Sequence, residues 1–176
     1  MPYRSIFRPG LFDGQTIVVT GGGSGIGRCT AHELSSLGAR IALVGRTQEK
    51  LDQVKEELGG DAFTFAGDLR EEAEVKEAVD AVLKWGGRID GLVNNAAVVR
   101  HMPLAEWDTG CFDEHVATNI RAPFFLIQAA LPALRESPVR SVVNIGSSSG
   151  TLRRVGQSVY GMTKSALDYL TQTLAG

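Results

Sequence analysis

One stretch constrains this chain more than any other: Thr20-Gly21-Gly22-Gly23-Ser24-Gly25-Ile26-Gly27. Before it, residues 15–20 (QTIVVT) form a short, apolar, β-branched run. After it, residues 26–37 take a helical period that stops at Gly38, a residue suited to the left-handed turn past a helix end. A strand that runs through glycines into a helix leaves bare backbone N–H groups at the helix N-terminus, with no Cβ to hold an anion away. The plain alternative is a glycine-rich surface turn. Placement after the first strand of a βαβ unit favours a nucleotide phosphate instead.

The alternation continues along the chain. Residues 40–45 (RIALVG) are a second buried-strand run. Residues 47–58 open with Thr47 as a helix cap and carry Leu51, Val54 and Leu58 at helical spacing. Residues 61–66 are a third strand, and residues 71–85 an acid-started helix with Val75, Val79, Val82 and Leu83 on one side. Residues 89–94 (IDGLVN) and 139–145 supply two more strands. Residues 108–135 read as a long helix bent at Pro123, because proline removes an intrahelical bond. Residues 157–174 are a last helix. Near-continuous apolar strands, each followed by a helix, imply a parallel sheet covered on both faces. Right-handed crossovers then give an α/β, doubly wound, Rossmann-like fold of about five strands.

Composition removes other classes. The 176 residues suit one domain, and 43% hydrophobic with 22% charged is the balance of a soluble globular chain. A formal charge of −2 argues against nucleic acid as a partner. No apolar run approaches the ~20 residues that span a bilayer, and the start of the chain lacks a signal-peptide core, so a cytoplasmic protein is expected. Cys29 and Cys111 are too few for a disulfide framework; both read as reduced, with Cys29 a small buried packing residue. His32, His101 and His115 lack metal-ligand spacing, so no metal is expected.

The loop spacing Gly21-x-x-x-Gly25-x-Gly27 is not the common G-x-G-x-x-G fingerprint; it resembles the TGxxxGxG loop of the short-chain dehydrogenase/reductase (SDR) family. Other residues carry the same resemblance. Asn94-Asn95-Ala96-Ala97 follows the fourth strand, where the family has NNAG, and Tyr160-Gly161-Met162-Thr163-Lys164 is similar to its YxxxK. Ser147 lies 13 residues before Tyr160, and Asn119 lies 28 before Ser147. The resemblance runs from Gln15 to the end of the chain. It implies hydride transfer between a nicotinamide cofactor and a carbonyl or alcohol, with residues 15–176 as the NAD(P)-binding domain and residues 1–14 as an N-terminal extension.

The catalytic set implied is Asn119, Ser147, Tyr160 and Lys164. Tyr160 and Lys164, four apart on a helix, share a face. An ammonium beside a phenol favours the phenolate, so such a tyrosine can act as general acid or base. Ser147 can donate a hydrogen bond to the substrate oxygen, and the resemblance gives Asn119 a water relay behind Lys164. Taken singly, each has a plainer reading as a solvated or loop residue. For the cofactor, the resemblance implies Gly21, Ser24, Gly25, Ile26 and Gly27 at the loop. It adds Asp68 and Leu69 at the adenine, where Asp68 can equally cap a helix, then Asn95 and Ala96, with Tyr160 and Lys164 at the nicotinamide ribose. The second strand ends Val44-Gly45-Arg46-Thr47 with no acid before Glu49. A carboxylate there would repel a 2′-phosphate and a guanidinium can pair with it, so NADP(H) is expected over NAD(H).

The chain also departs from the family. Family members continue past the point equivalent to Gly176, so the domain is expected to be incomplete at its C-terminus. The fifth strand should then be an apolar sheet edge, the substrate pocket should lack a wall, and the 176-residue chain alone should be poorly soluble with little turnover. Ala97 stands where the family has glycine. The partners expected are a small carbonyl or alcohol and a second copy of the chain, as a homodimer or homotetramer through the helices bearing Asn119 and Tyr160. The alternatives are an NADP(H)-binding sensor without catalysis and a structural subunit.

Overall fold

The computed structural model describes residues 5–59 and 61–175. Five parallel strands form one sheet in the order β3-β2-β1-β4-β5, with β1 Thr16–Thr20, β2 Arg40–Gly45, β3 Ala62–Ala66, β4 Gly91–Asn94 and β5 Ser141–Asn144. The helices are α1 Gly25–Ser36, α2 Gln48–Leu58, α3 Glu72–Gly86, α4 Thr109–Val116, α5 Ala122–Glu136 and α6 Ser158–Leu174. This is the Rossmann-like α/β architecture.

Every residue of β1 is buried, because helices cover both faces. Successive side chains point to opposite faces. Ile17 and Val19 join Ile41, Leu43, Leu51 and Val54 under α1 and α2. Val18 joins Val44, Val79, Leu92 and Leu126 under α3 and α5. Phe12 packs against the first cluster and its N–H donates to the Leu37 carbonyl at 2.9 Å, which lays the preceding segment along α1.

Four expectations change in detail. Thr47 sits at the N-cap of α2, yet its hydroxyl makes no capping bond. Cys29 is exposed rather than buried, since α1 turns only Gly27 and Ala31 fully inward. The long helix over residues 108–135 is divided by a π-helical turn, Ala117–Arg121, ahead of Pro123. Pro123 has no N–H to return to the carbonyl of Asn119, so the α-pattern bond there cannot form and the helix widens just before it. Asp90 leaves the fourth strand and becomes a buried clamp at its foot. Its carboxylate accepts from Thr16 N, Ser137 Oγ and Arg88.

From β1 the chain builds outward to β2 and β3, then crosses back to β4 and β5 on the other side. The loops after β1 and β4 therefore diverge and leave a crevice at the carboxyl ends of the strands.

Candidate functional site

That crevice has a volume of about 400 Å³. Gly21, Ser24, Gly25 and Ile26 form one lip, and Asn95 and Ala96 the opposite one. Thr20, at the tip of β1, locks the lips together. Its hydroxyl accepts from Asn95 N and Ala96 N, both at 3.0 Å, and Asn95 Nδ2 donates to the Thr20 carbonyl at 2.9 Å. Gly21 holds φ +64°, a left-handed turn that glycine adopts without strain. Gly27 is buried behind the lip; a Cβ there would meet the Gly21 carbonyl and come within 2.5 Å of Asn95 Nδ2. The two glycines thus keep the loop pressed onto the Asn95 turn.

The N-terminus of α1 opens into this space. Ser24 occupies its N-cap without a side-chain capping bond, and no acidic residue sits in the first turn. Its first amides stay unclaimed by side chains and carry the positive end of the helix dipole. Ile26, 63% exposed, presents an apolar face beside them. An uncapped helix end behind a glycine-rich loop suits a pyrophosphate with a flat ring beside it.

The wall from β2 and β3 carries Arg46, Thr47, Asp68 and Leu69. Asp68 is not a helix cap. Its carboxylate accepts from Arg70 N at 3.1 Å and from the Arg70 guanidinium, and Glu71 holds the N-cap of α3. The Arg70 hydrogen bonds hold the Asp68 carboxyl below the usual carboxylate range, against the opposing effect of burial.

The four residues expected to be catalytic gather on the β4–β5 side, outside the lining just described. Lys164, on α6, is 4% exposed and donates from Nζ to the Ile145 carbonyl at 2.6 Å, just beyond β5. Burial lowers its pKa. Nζ lies 5.8 Å from the centre of the Tyr160 ring, so the two do share a face. Asn119 is 1% exposed, and its amide is committed: Oδ1 accepts from Val98 N and Nδ2 donates to Val98 O, each at 2.9 Å, and to Thr163 Oγ1 at 3.0 Å. Asn119 side-chain atoms therefore couple the turn after β4 to α6. Ser147 Oγ accepts from Ser149 N at 3.1 Å at the start of a 3₁₀ turn after β5.

Several residues that hold these groups escaped the sequence reading. Thr20 and Thr163 sit inside the recognised motifs, and only their bonding shows what they do. Gln157 accepts from Ser149 Oγ at 2.5 Å and bonds the His101 ring at 2.8 Å, joining the serine turn to the loop after β4. Nothing in the spacing of 149, 157 and 101 signals that contact. Among the described residues no group of three or more His, Cys, Asp or Glu could hold a metal ion, and no helix is long and apolar enough to cross a membrane.

A glycine-lipped crevice at the switch point of a doubly wound parallel sheet defines a Rossmann-like nucleotide-binding protein. The chain belongs to the short chain dehydrogenase family, matching it over residues 15–176. It is similar to an uncharacterized oxidoreductase of Thermotoga maritima, 34% identical over 167 residues, covering 93% of this chain and 66% of that protein. Among solved structures it resembles the citronellol catabolism dehydrogenase AtuB of Pseudomonas aeruginosa, with TM-score 0.91 and 42% identity over 98% of this chain and 72% of that one. A metagenomic short-chain oxidoreductase in complex with NADP superposes with TM-score 0.88 at 36% identity, covering 93% of this chain and 76% of that one. The chain thus spans about two thirds of the Thermotoga relative.

Proposed function

We propose that this protein is an NADP(H)-dependent oxidoreductase acting on a carbonyl/alcohol pair, with Tyr160 as the general acid/base. One observation carries the reading. A buried lysine and a tyrosine share a face of α6, and Lys164 is anchored to the strand end beside the crevice that the glycine loop opens. The bound nicotinamide would supply or accept the hydride. Tyr160 Oη delivers a proton to the substrate oxygen during reduction or removes one during oxidation. Lys164 keeps a positive charge on the phenol side and reaches the nicotinamide ribose. Ser147 donates to the same substrate oxygen as charge builds on it. Asn119 fixes the height of α6 against the turn after β4.

Arg46, exposed on the crevice wall and in no ion pair or hydrogen bond among the described residues, with Asp68 near enough only to feel its charge, supports NADP(H) over NAD(H). Gly21, Ser24, Gly25, Ile26 and Gly27 would take the pyrophosphate, Asp68 and Leu69 the adenine, and Asn95 and Ala96 the far ribose. Val99, Leu152 and Val155 are exposed apolar side chains on the loops after β4 and before Tyr160, tied by Met102 N to the Gly156 carbonyl at 2.9 Å. They favour an apolar substrate, in keeping with the terpenoid alcohol named for the Pseudomonas protein. Phe124, Met162 and Tyr169, exposed on α5 and α6, support a homodimer or homotetramer built on those helices.

Titration with NADPH and NADH, read by nicotinamide fluorescence, followed by NADPH oxidation over a panel of carbonyls, tests the reading. Tighter NADPH binding and slow but measurable turnover of an apolar ketone or aldehyde are expected. Binding without turnover of any carbonyl or alcohol would make the protein a sensor, and no binding a structural subunit.

A further inference from the structure

We propose that Lys50 is a second cation for the 2′-phosphate of NADP(H), set beside Arg46 on the crevice wall; this rests on the NADP(H) reading above. Lys50 lies in the first turn of α2. Thr47, Lys50 and Leu51, spaced three and four apart, fall on one side of the helix and all line the crevice, whereas Gln48 and Glu49 are not part of that wall. The acid nearest in sequence is therefore turned away from the space a phosphate would enter.

The position of Lys50 is fixed from two directions. Leu51, next to it, is 1% exposed and anchors the turn in the core. The glycine loop presses on it from the other side: a Cβ at Gly23 would stand 3.0 Å from Lys50 Cβ. The backbone of Lys50 is thus held against the loop, and only its flexible stem is left to swing within the crevice.

No ion pair claims either cation, although the Asp68 carboxylate feels the charge of Arg46. Asp68, the carboxylate on this wall, is held by Arg70. Asp52, one turn along α2, accepts from Gln48 Nε2 at 2.7 Å and from Thr64 Oγ1 at 3.2 Å. Neither Arg46 nor Lys50 has an ion-pair or hydrogen-bond partner among the described residues. Beside them the Thr47 hydroxyl makes no capping bond, so the first turn of α2 offers a hydroxyl and unclaimed amides as well. A phosphate monoester carries about −1.5 to −2 charge at pH 7, which one guanidinium cannot neutralise. A guanidinium, an ammonium and a hydroxyl on one wall match that charge and its oxygens. Lysine acts there as a mobile point charge and arginine as the planar fork.

The test measures dissociation constants of the wild-type protein and Lys50→Met for NADPH, NADH, 2′,5′-ADP and 5′-AMP. Methionine keeps the apolar stem and the helix preference. Losing one charge-assisted contact should weaken NADPH and 2′,5′-ADP about tenfold, while NADH and 5′-AMP change less than about twofold. Lys50→Arg should restore NADPH binding, and Lys50→Met should flatten the salt dependence of NADPH affinity. Wild-type preference for NADPH with an unchanged Lys50→Met would overturn the role of Lys50 and leave the NADP(H) reading standing. Equal weakening of all four probes would also overturn it, as loss of helix packing. Wild-type preference for NADH would overturn the cofactor reading, and this proposal with it.

Discussion

Val93 on β4 and Val143 on β5 are partners in register on adjacent strands, yet Val93 is 6% exposed and Val143 46%. That one step across the sheet separates two differently built regions. On the near side, β1, β2 and β4 are closed between two helical layers, and the glycine loop, the Thr20–Asn95 lock and the Arg46 wall grow from their ends. On the far side, β5 pairs with β4 alone among the described strands and alternates between exposed and half-buried positions. Ser147 and the run into Tyr160 rest on that edge. The wall proposed for the cofactor thus stands on a packed core, while the wall proposed for catalysis hangs from α6 and a few hydrogen bonds. Grip on the cofactor and chemistry on the substrate should respond to different mutations.

The sharpest break in that comparison is Tyr160→Phe. If the far side does chemistry and the near side does binding, removing one hydroxyl should lower kcat by about 10²- to 10⁴-fold. NADPH affinity, set by the loop and the β2 wall, should change less than about twofold. Steady-state kinetics paired with fluorescence titration reads both. A parallel loss of affinity and turnover would show that the two regions are not separable.

The sequence made the near side far more legible than the far side, and the reason is physical. A parallel strand covered on both faces must be apolar nearly throughout, so β1, β2 and the glycine loop announce themselves within 15–45. Tyr160 and Lys164 were legible through their likeness to the family's YxxxK, and helical spacing puts them on one face. The edge strand proved shorter than the 139–145 run, since Val139 and Arg140 turn on Ser137 Oγ instead of pairing. The Gln157–His101 bridge joins loops more than fifty residues apart, and no local pattern encodes it. Lys50 was hidden for the opposite reason. On an exposed helix turn a lysine is unremarkable until the folded chain brings Gly23 against it.

Asp90 ties the two regions together at the other end of the sheet. It accepts from Thr16 at the start of β1, and its own carbonyl accepts from Ser141 N at the start of β5, 3.0 Å away. Burial pushes its carboxyl up, but Arg88, Ser137 and Thr16 outweigh it and hold the pKa below the ordinary value. The unfolded chain then binds more protons than the folded one in that interval. The contribution is present above the unfolded pKa of about 3.9 and is lost as pH falls through the folded value. Asp90→Asn should therefore cost about 2–3 kcal/mol at neutral pH and much less in acid, where the wild-type carboxyl is itself protonated. Denaturant melts at pH 7 and at a pH below the folded value check this. An equal penalty at both pH values would mean that the charge does not join the two halves.

The finest test uses the valine pair itself. Thr is close to Val in size and equally β-branched, so Val93→Thr and Val143→Thr differ only in where a hydroxyl is placed. At 93 that hydroxyl enters the apolar cluster of Ile17, Val19, Ile41 and Leu43, and should cost about 1–2 kcal/mol. At 143 it stays half in water, and the change should fall within about 0.5 kcal/mol. The edge variant should also leave NADPH affinity unaltered, because no part of the crevice wall is built from β5. Chemical denaturation of the two variants under one set of conditions yields the difference directly. Equal penalties would mean that the far edge is as well covered in solution as the centre, and the contrast between the two regions would disappear.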